Sequence, residues 1–169
     1  MDVTDVILDQ HAEQRRLFLT LHELRGDSDT ARVATLWEDL ARVLEIHAAA
    51  EEEHFYPKLL EVRGEAAADE TEDAIKDHGE IRDAIAESRR HEPGTTAWWD
   101  AVVAAEKANS DHMAEEERDD LADFRRFADL DLRHSTAVAL LSYEAENHDG
   151  VGPRDLDPEA YVEEHLPAS

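Results

Sequence analysis

The 169-residue sequence contains no cysteine. Disulfide bonds, iron–sulfur clusters and zinc sites built on thiolates are therefore excluded, because each of them needs cysteine sulfur. Glycine and proline are scarce, with 6 and 5 residues, and their scarcity favours long uninterrupted helices. No apolar run approaches the length of a membrane span or a signal peptide, so we expect a cytoplasmic protein without a membrane partner.

Basic residues are few as well. Lysine and arginine together number 17 against 43 aspartates and glutamates, which gives a formal net charge of -26 at pH 7. Nucleic acid is not an expected partner, because binding phosphates needs clustered lysine and arginine. We expect the acidic residues to form a solvated surface.

The residues that dominate the sequence are good helix formers, and they predict an all-α protein. Four long helices are predicted, over residues 2–25, 30–62, 65–90 and 97–128. Candidate N-caps are Asp2 or Thr4 for the first helix, one of Asp27, Ser28 and Asp29 for the second, and Thr95 or Thr96 for the fourth. Pro57 should kink the second helix or end its regular part.

The predicted architecture is an up-down-up-down four-helix bundle with a short extra C-terminal helical segment. The bundle occupies residues 1–130, because short connections make neighbouring helices antiparallel. Residues 131–169 are expected to form a C-terminal helix and an irregular tail packed on the bundle. This segment either caps one end of the bundle or forms a homodimer contact.

Two copies of an HxxxE motif, His47 to Glu51 and His112 to Glu116, lie about 65 residues apart. Residues four apart on a helix point the same way, so each copy presents an imidazole and a carboxylate one turn apart. A lone histidine precedes each copy, His11 before the first and His78 before the second. The order along the chain is therefore H, HxxxE, H, HxxxE.

The four histidines are predicted to share one layer in the middle of the bundle. Each lies about 14 to 19 residues from the neighbouring turns, and at 1.5 Å per residue these heights agree to within about 5 Å. A lone inward histidine is usually an ordinary core residue, and a single HxxxE pair often arises by chance in a chain this rich in glutamate. Burying four imidazoles and two carboxylates together without a metal would cost several kcal/mol per group, so the conjunction predicts a site for two metal ions.

The predicted metal ligands are the six residues of this layer, namely His11, His47, Glu51, His78, His112 and Glu116. The glutamate runs at 51–53 and 115–117 are each expected to contribute one buried carboxylate and to leave the rest outside. His54, about one turn beyond Glu51, is a further candidate for a ligand or for a neighbour of one. The aromatic residues Trp98, Trp99, Phe18 and Phe124 are interpreted as bundle packing.

The order H…HxxxE…H…HxxxE, with Tyr56-Pro57 after the first pair, resembles the hemerythrin-like (HHE, cation-binding) domain family over about residues 3–128. The resemblance implies a non-heme, carboxylate-bridged centre of two iron ions. It implies that the four histidines bind terminally, and that Glu51 and Glu116 bridge the irons. Mixed imidazole and carboxylate ligands also suit iron on general grounds, with manganese or zinc as alternatives.

The sequence departs from the oxygen-carrying hemerythrins on the third helix. Those proteins have HxxxH there, whereas the positions four residues from His78 are Ala74 and Arg82. Counting ligands then leaves two open iron positions where the carriers have one, unless His54, Tyr56 or another carboxylate fills one. We expect Arg82→His to restore the histidine pair, with Ala74→His as its control.

Three functions are compatible with this pattern. The first is a di-iron protein that binds or senses a small diatomic ligand, oxygen or nitric oxide. The second is a di-iron enzyme that acts on peroxide, oxygen or nitric oxide. The third is an iron-handling or regulatory protein whose tail contacts a partner.

Overall fold

The computed structural model describes residues 1–167, and residues 168 and 169, which end the predicted C-terminal tail, lie outside the described residues. The described chain is all helical, as predicted, with eight α-helices and one short 3₁₀ helix at Gly64–Ala67. The α-helices are α1 (Val3–Glu23), α2 (Thr30–His54), α3 (Tyr56–Arg63), α4 (Ala68–Ser88), α5 (Thr96–Arg118), α6 (Asp120–Phe127), α7 (Leu130–Glu146) and α8 (Pro158–His165).

The long helices α1, α2, α4 and α5 form the predicted up-down-up-down bundle. Three of the predicted N-caps begin them: Asp2 for α1, Asp29 for α2 and Thr95 for α5. Each side chain accepts a hydrogen bond from a backbone N–H of the first turn, which would otherwise have no partner inside the helix.

The predicted second helix breaks just past the first HxxxE motif, at Phe55 between α2 and α3. Pro57 lies in the first turn of α3, where its missing N–H is tolerated. In a continuous helix the same proline would leave the carbonyl of Glu53 without its partner. Phe55 and Tyr56 at the break are fully buried.

The predicted fourth helix also breaks, and here the sequence expectation of one helix over 97–128 is wrong. α5 ends at Arg118 and α6 begins at Asp120, with Asp119 between them at φ -111° and ψ -66°. The sequence has no glycine or proline at this point, so helix propensity alone does not predict the break. Its consequence is that Asp120, at the start of α6, is buried.

Two apolar clusters make up the core. The first lies at the α3 and α6 end of the bundle and includes Val3, Ile7, Phe55, Tyr56, Leu59 and Phe124. The second lies at the opposite end and includes Phe18, Trp37, Leu40, Leu44, Ile85, Trp98 and Trp99. The four aromatic residues interpreted as packing are all buried in these clusters, as predicted.

The C-terminal segment lies along the bundle. α7 contacts α1 and α2, and α8 contacts α4 and α3. The Tyr161 hydroxyl donates to the backbone carbonyl of Glu52 at 2.5 Å, which attaches α8 to α2 beside the first HxxxE motif. None of the helices within residues 1–167 has the length and apolar character needed to cross a membrane.

Candidate metal centre

Four different helices supply the six predicted ligands. His11 comes from α1, His47 and Glu51 from α2, His78 from α4, and His112 and Glu116 from α5. All six side chains are buried, with relative exposures between 0% and 4%. The structure therefore brings the six residues into one buried region, although their role as ligands stays a prediction.

Five of the six residues form two groups in which one ligand atom of each residue lies within 4.8 Å of the others. The first group is His11, His47 and Glu51, and the second is Glu51, His78 and His112. Glu51 belongs to both groups. Its Oε1 is 3.1 Å from His47 Nε2, while its Oε2 is 3.4 Å from His78 Nε2. One carboxylate thus faces two sets of imidazoles with two different oxygens.

Glu116 is connected to this arrangement differently. Its Oε2 is 3.2 Å from His11 Nε2, and its Oε1 accepts a hydrogen bond of 2.9 Å from the Tyr56 hydroxyl. Only one Glu116 oxygen is therefore free of a protein donor. The resemblance implies that two glutamates bridge the metal ions. The positions of the two Glu51 oxygens agree with that role, whereas one of the two Glu116 oxygens already accepts a hydrogen bond from Tyr56.

Three of the histidines are fixed from behind by polar side chains. The Nδ1 atoms of His11, His47 and His78 lie 2.9 Å from Glu117 Oε1, 2.9 Å from Gln10 Oε1 and 3.0 Å from Glu52 Oε1. Each partner is an acceptor, so Nδ1 donates to it and Nε2 points into the centre, where the neutral imidazole has its lone pair. That is the tautomer a metal ligand needs.

Glu52 corrects one sequence expectation. It was expected outside with the rest of its run, yet it is 2% exposed. Burial is possible because Arg82, at 2.8 Å, and Arg154, at 3.1 Å, supply positive charge on either side of it. Burial alone would raise the pKa of Glu52, but His78 and Arg82 outweigh it and keep that pKa below its usual value.

Sequence reasoning missed the partners of the histidines, but a signal for two of them exists. Each HxxxE motif continues into a second glutamate, Glu52 or Glu117. In both copies the first glutamate faces the centre. The second accepts a hydrogen bond from the Nδ1 of a lone histidine on another helix. The pattern HxxxEE therefore predicts both an inward carboxylate and a hydrogen-bond partner for a histidine on another helix.

Five inner atoms of the centre are buried without hydrogen-bond partners in residues 1–167, whereas His78 Nε2 and His112 Nε2 lie 3.1 Å from each other. The five atoms are His11 Nε2, His47 Nε2, both oxygens of Glu51 and Oε2 of Glu116. Burial, with the neighbouring Glu116 charge, raises the pKa of Glu51 to about 8. Burial, with the neighbouring His78, lowers the pKa of His112 to about 3. A bound cation would supply these atoms with a partner and favour their deprotonated forms, which counteracts the raised pKa of Glu51 and agrees with the lowered pKa of His112.

The remaining candidates lie outside the two groups. His54 packs edge-on against Tyr143 of α7, with ring centroids 5.4 Å apart, and belongs to neither group. Arg82 directs its guanidinium to Glu52, away from the inner atoms. Ala74 lines a cavity of about 230 Å³ together with His112 and Glu116. Of the two positions four residues from His78, Ala74 is thus the one beside the centre. We therefore expect Ala74→His, and not Arg82→His, to restore the histidine pair.

A buried cluster of imidazoles and carboxylates on four antiparallel helices defines the class of helical-bundle cation-binding domains. Comparison with protein families matches residues 2–123 to the hemerythrin HHE cation binding domain, and the chain belongs to that family. The resemblance inferred from the motif order is confirmed. Comparisons with curated proteins and with solved structures give no significant match.

Proposed function

We propose that the protein holds two iron ions in this centre and binds or senses a small diatomic ligand, oxygen or nitric oxide. The observation that carries the proposal is the shared carboxylate of Glu51, which faces one imidazole group with each oxygen. One oxygen for each of two cations is the arrangement of a bridging carboxylate. A site for a single ion would not need two separate groups of imidazoles.

The buried atoms without partners support the presence of cations. Five inward atoms lack hydrogen bonds within the described chain, and an unsatisfied buried polar group costs about 1–3 kcal/mol. Bound cations would offset this loss of stability by pairing with the five atoms. The proposed ligands are His11, His47, Glu51, His78, His112 and Glu116.

Iron is the metal we favour, because imidazoles combined with carboxylates suit iron, while manganese and zinc are the alternatives that metal analysis distinguishes. When bound, iron would supply a coordination position at which oxygen or nitric oxide can bind. The protein's own contribution is orientation. Glu117, Gln10 and Glu52 hold three imidazoles with Nε2 inward, and Tyr56 restricts Glu116 to one free oxygen.

A di-iron enzyme that acts on peroxide, oxygen or nitric oxide is the second candidate. The cavity beside Ala74 favours it, because this space reaches His112 and Glu116 from the outside and has room for a small reactant. A carrier needs a restricted centre, whereas turnover needs access and release.

Metal analysis and absorption spectroscopy test the proposal on the full chain. We expect two iron ions per chain in protein purified without chelators, and a spectrum that changes on adding oxygen or nitric oxide and reverts when the gas is removed. Steady loss of added peroxide would favour the enzyme. A metal content of one ion per chain or less contradicts the two-iron centre.

A further inference from the structure

The cavity of about 230 Å³ beside the centre is lined by α4, α5 and the start of α6. Its inner wall includes His112 and Glu116, both buried, while the exposed residues Glu70, Asp73 and Glu115 lie on its outer side. The space therefore connects the solvent-exposed surface to two of the proposed ligands. Ala74 lines it with a side chain small enough to leave the passage open.

The lining of this cavity is strongly acidic. Seven of its ten lining residues are aspartates or glutamates, and the one basic residue, Arg118, is paired with Asp119 at 2.6 Å. A cleft lined by charges of one sign concentrates the opposite charge inside it. Anions are therefore disfavoured in this space and cations are favoured.

Asp120 singles out a position for a cation within the cavity. It is 5% exposed, lines the cavity, and has no hydrogen bond or ion pair to any side chain in residues 1–167. A carboxylate buried in this way without a partner is costly unless it is protonated or a bound cation compensates its charge. Asp120 lies one helical turn beyond Glu116, and the break at Asp119 between α5 and α6 lies between them.

A second cavity, of about 330 Å³, reaches the centre at His47 and provides the comparison. Its lining includes Gln10, Val43 and Ile46, with a single carboxylate, Glu144, and a single arginine, Arg42. The charges of this lining are balanced, so it does not attract cations. Of these two cavities, the one beside Ala74 has the electrostatics that suit a metal ion.

We propose that the acidic cavity is the route by which divalent transition-metal cations enter the centre, and that Asp120 holds the cation in transit before it reaches His112 and Glu116. The inference rests on the proposed metal centre, since a route is meaningful only if the centre takes up metal. It adds a residue outside the six ligands, with a kinetic role. Asp120 assists loading and leaves the final metal content unchanged.

The test is the rate of Fe²⁺ or Co²⁺ uptake by the full chain, after a chelator has removed its metal and circular dichroism has verified its helix content. Asp120→Asn keeps the shape and removes the carboxylate that would bind the cation. We expect uptake to slow by roughly tenfold, because focused fields raise association rates by 10- to 1000-fold. The final content should remain two ions. Added salt should slow the parent more than the variant.

Asp100→Asn is the matched control, because it makes the same substitution at an exposed position on α5 that does not line the cavity. It should load at the parental rate. If the parent takes up two ions and Asp120→Asn loads equally fast, the entry route is refuted while the centre stands. If Asp120→Asn ends below two ions, Asp120 is a ligand and the transit role is refuted. A parent that takes up no metal refutes the centre itself.

Discussion

Ala74 is the residue that separates this centre from the five-histidine pattern of the oxygen carriers. It lies one turn before His78 on α4 and lines the cavity with His112 and Glu116. Ala74→His would add an imidazole at that side of the centre, where the cavity has room for it. We expect slower reaction with peroxide and longer-lived oxygen binding, measured by stopped-flow absorption.

Arg82→His is the contrasting variant, since Arg82 is engaged with Glu52 at 2.8 Å. It should lower stability by uncovering a buried carboxylate, and it should not add a ligand. Prolonged oxygen binding in Arg82→His, with Ala74→His unchanged, would contradict the orientation of α4 described above.

His47 and Glu51 should differ in how much metal their loss removes. His47 belongs to one group of ligand atoms and Glu51 to both, so we expect His47→Ala to lose one ion and Glu51→Ala to lose both. Stability should fall with metal content, because metal binding adds to the free energy of folding. Metal analysis and thermal melting measure the two effects. His148→Ala, at an exposed position, is the control, and metal loss there with retention in His47→Ala would contradict the site.

At the scale of helices, the sequence was sufficient wherever a local signal existed. N-caps fixed the starts of α1, α2 and α5, Pro57 fixed the end of α2, and distances from the turns gave the common layer of the histidines. These features depend on short stretches of chain, which is why they can be predicted without coordinates.

Features that depend on contacts between distant elements could not be predicted in this way. The break at Asp119 has no helix-breaking residue, and the burial of Glu52 depends on Arg82 from α4 and Arg154 from the tail. The single free oxygen of Glu116 depends on the direction of Tyr56 after the Pro57 break. Sequence spacing predicts which residues come together in the centre. Their hydrogen-bond partners, which lie far away in the sequence, determine which of their atoms face a metal ion.

The C-terminal tail is expected to tune the centre through Glu52. Arg154 pairs with Glu52 at 3.1 Å, and Glu52 in turn bonds to His78 Nδ1. Arg154→Ala should keep two ions but lower stability by about 1–3 kcal/mol, because a buried carboxylate loses one of its cationic partners. It should also speed the release of metal to a chelator, because Glu52 would then hold the proposed ligand His78 less firmly.

Arg118→Ala is the comparison for this variant, because Arg118 is exposed and, within residues 1–167, pairs only with its neighbour Asp119. It should be close to neutral in stability. Equal metal release from Arg154→Ala and the parent would show that the tail packs on α2 without influencing His78.

At the scale of the whole molecule, protons and metal ions compete for the same buried groups. In the metal-free protein, burial with the nearby Glu116 charge raises the pKa values of Glu51 and Asp120 to about 8. Burial lowers the pKa of His78, but its bonds to Glu51 and Glu52 outweigh this and raise it to about 9. All three pKa values are higher in the folded chain than in the unfolded chain, so their protons stabilise the fold at low pH.

The stability of the metal-free protein should therefore fall as pH rises from 6.5 to 9, as these groups lose their protons. The pKa values of His47 and His112 are lowered, so these histidines change the pH dependence of stability only below pH 6.5 and do not oppose this fall. Metal binding changes in the opposite direction, since a cation displaces the protons of Glu51 and His78 and binds more tightly at higher pH. Thermal melting should show the gap between loaded and metal-free protein widening from pH 6.5 to 9. A gap that stays constant over this range would mean that these groups release no protons when metal binds.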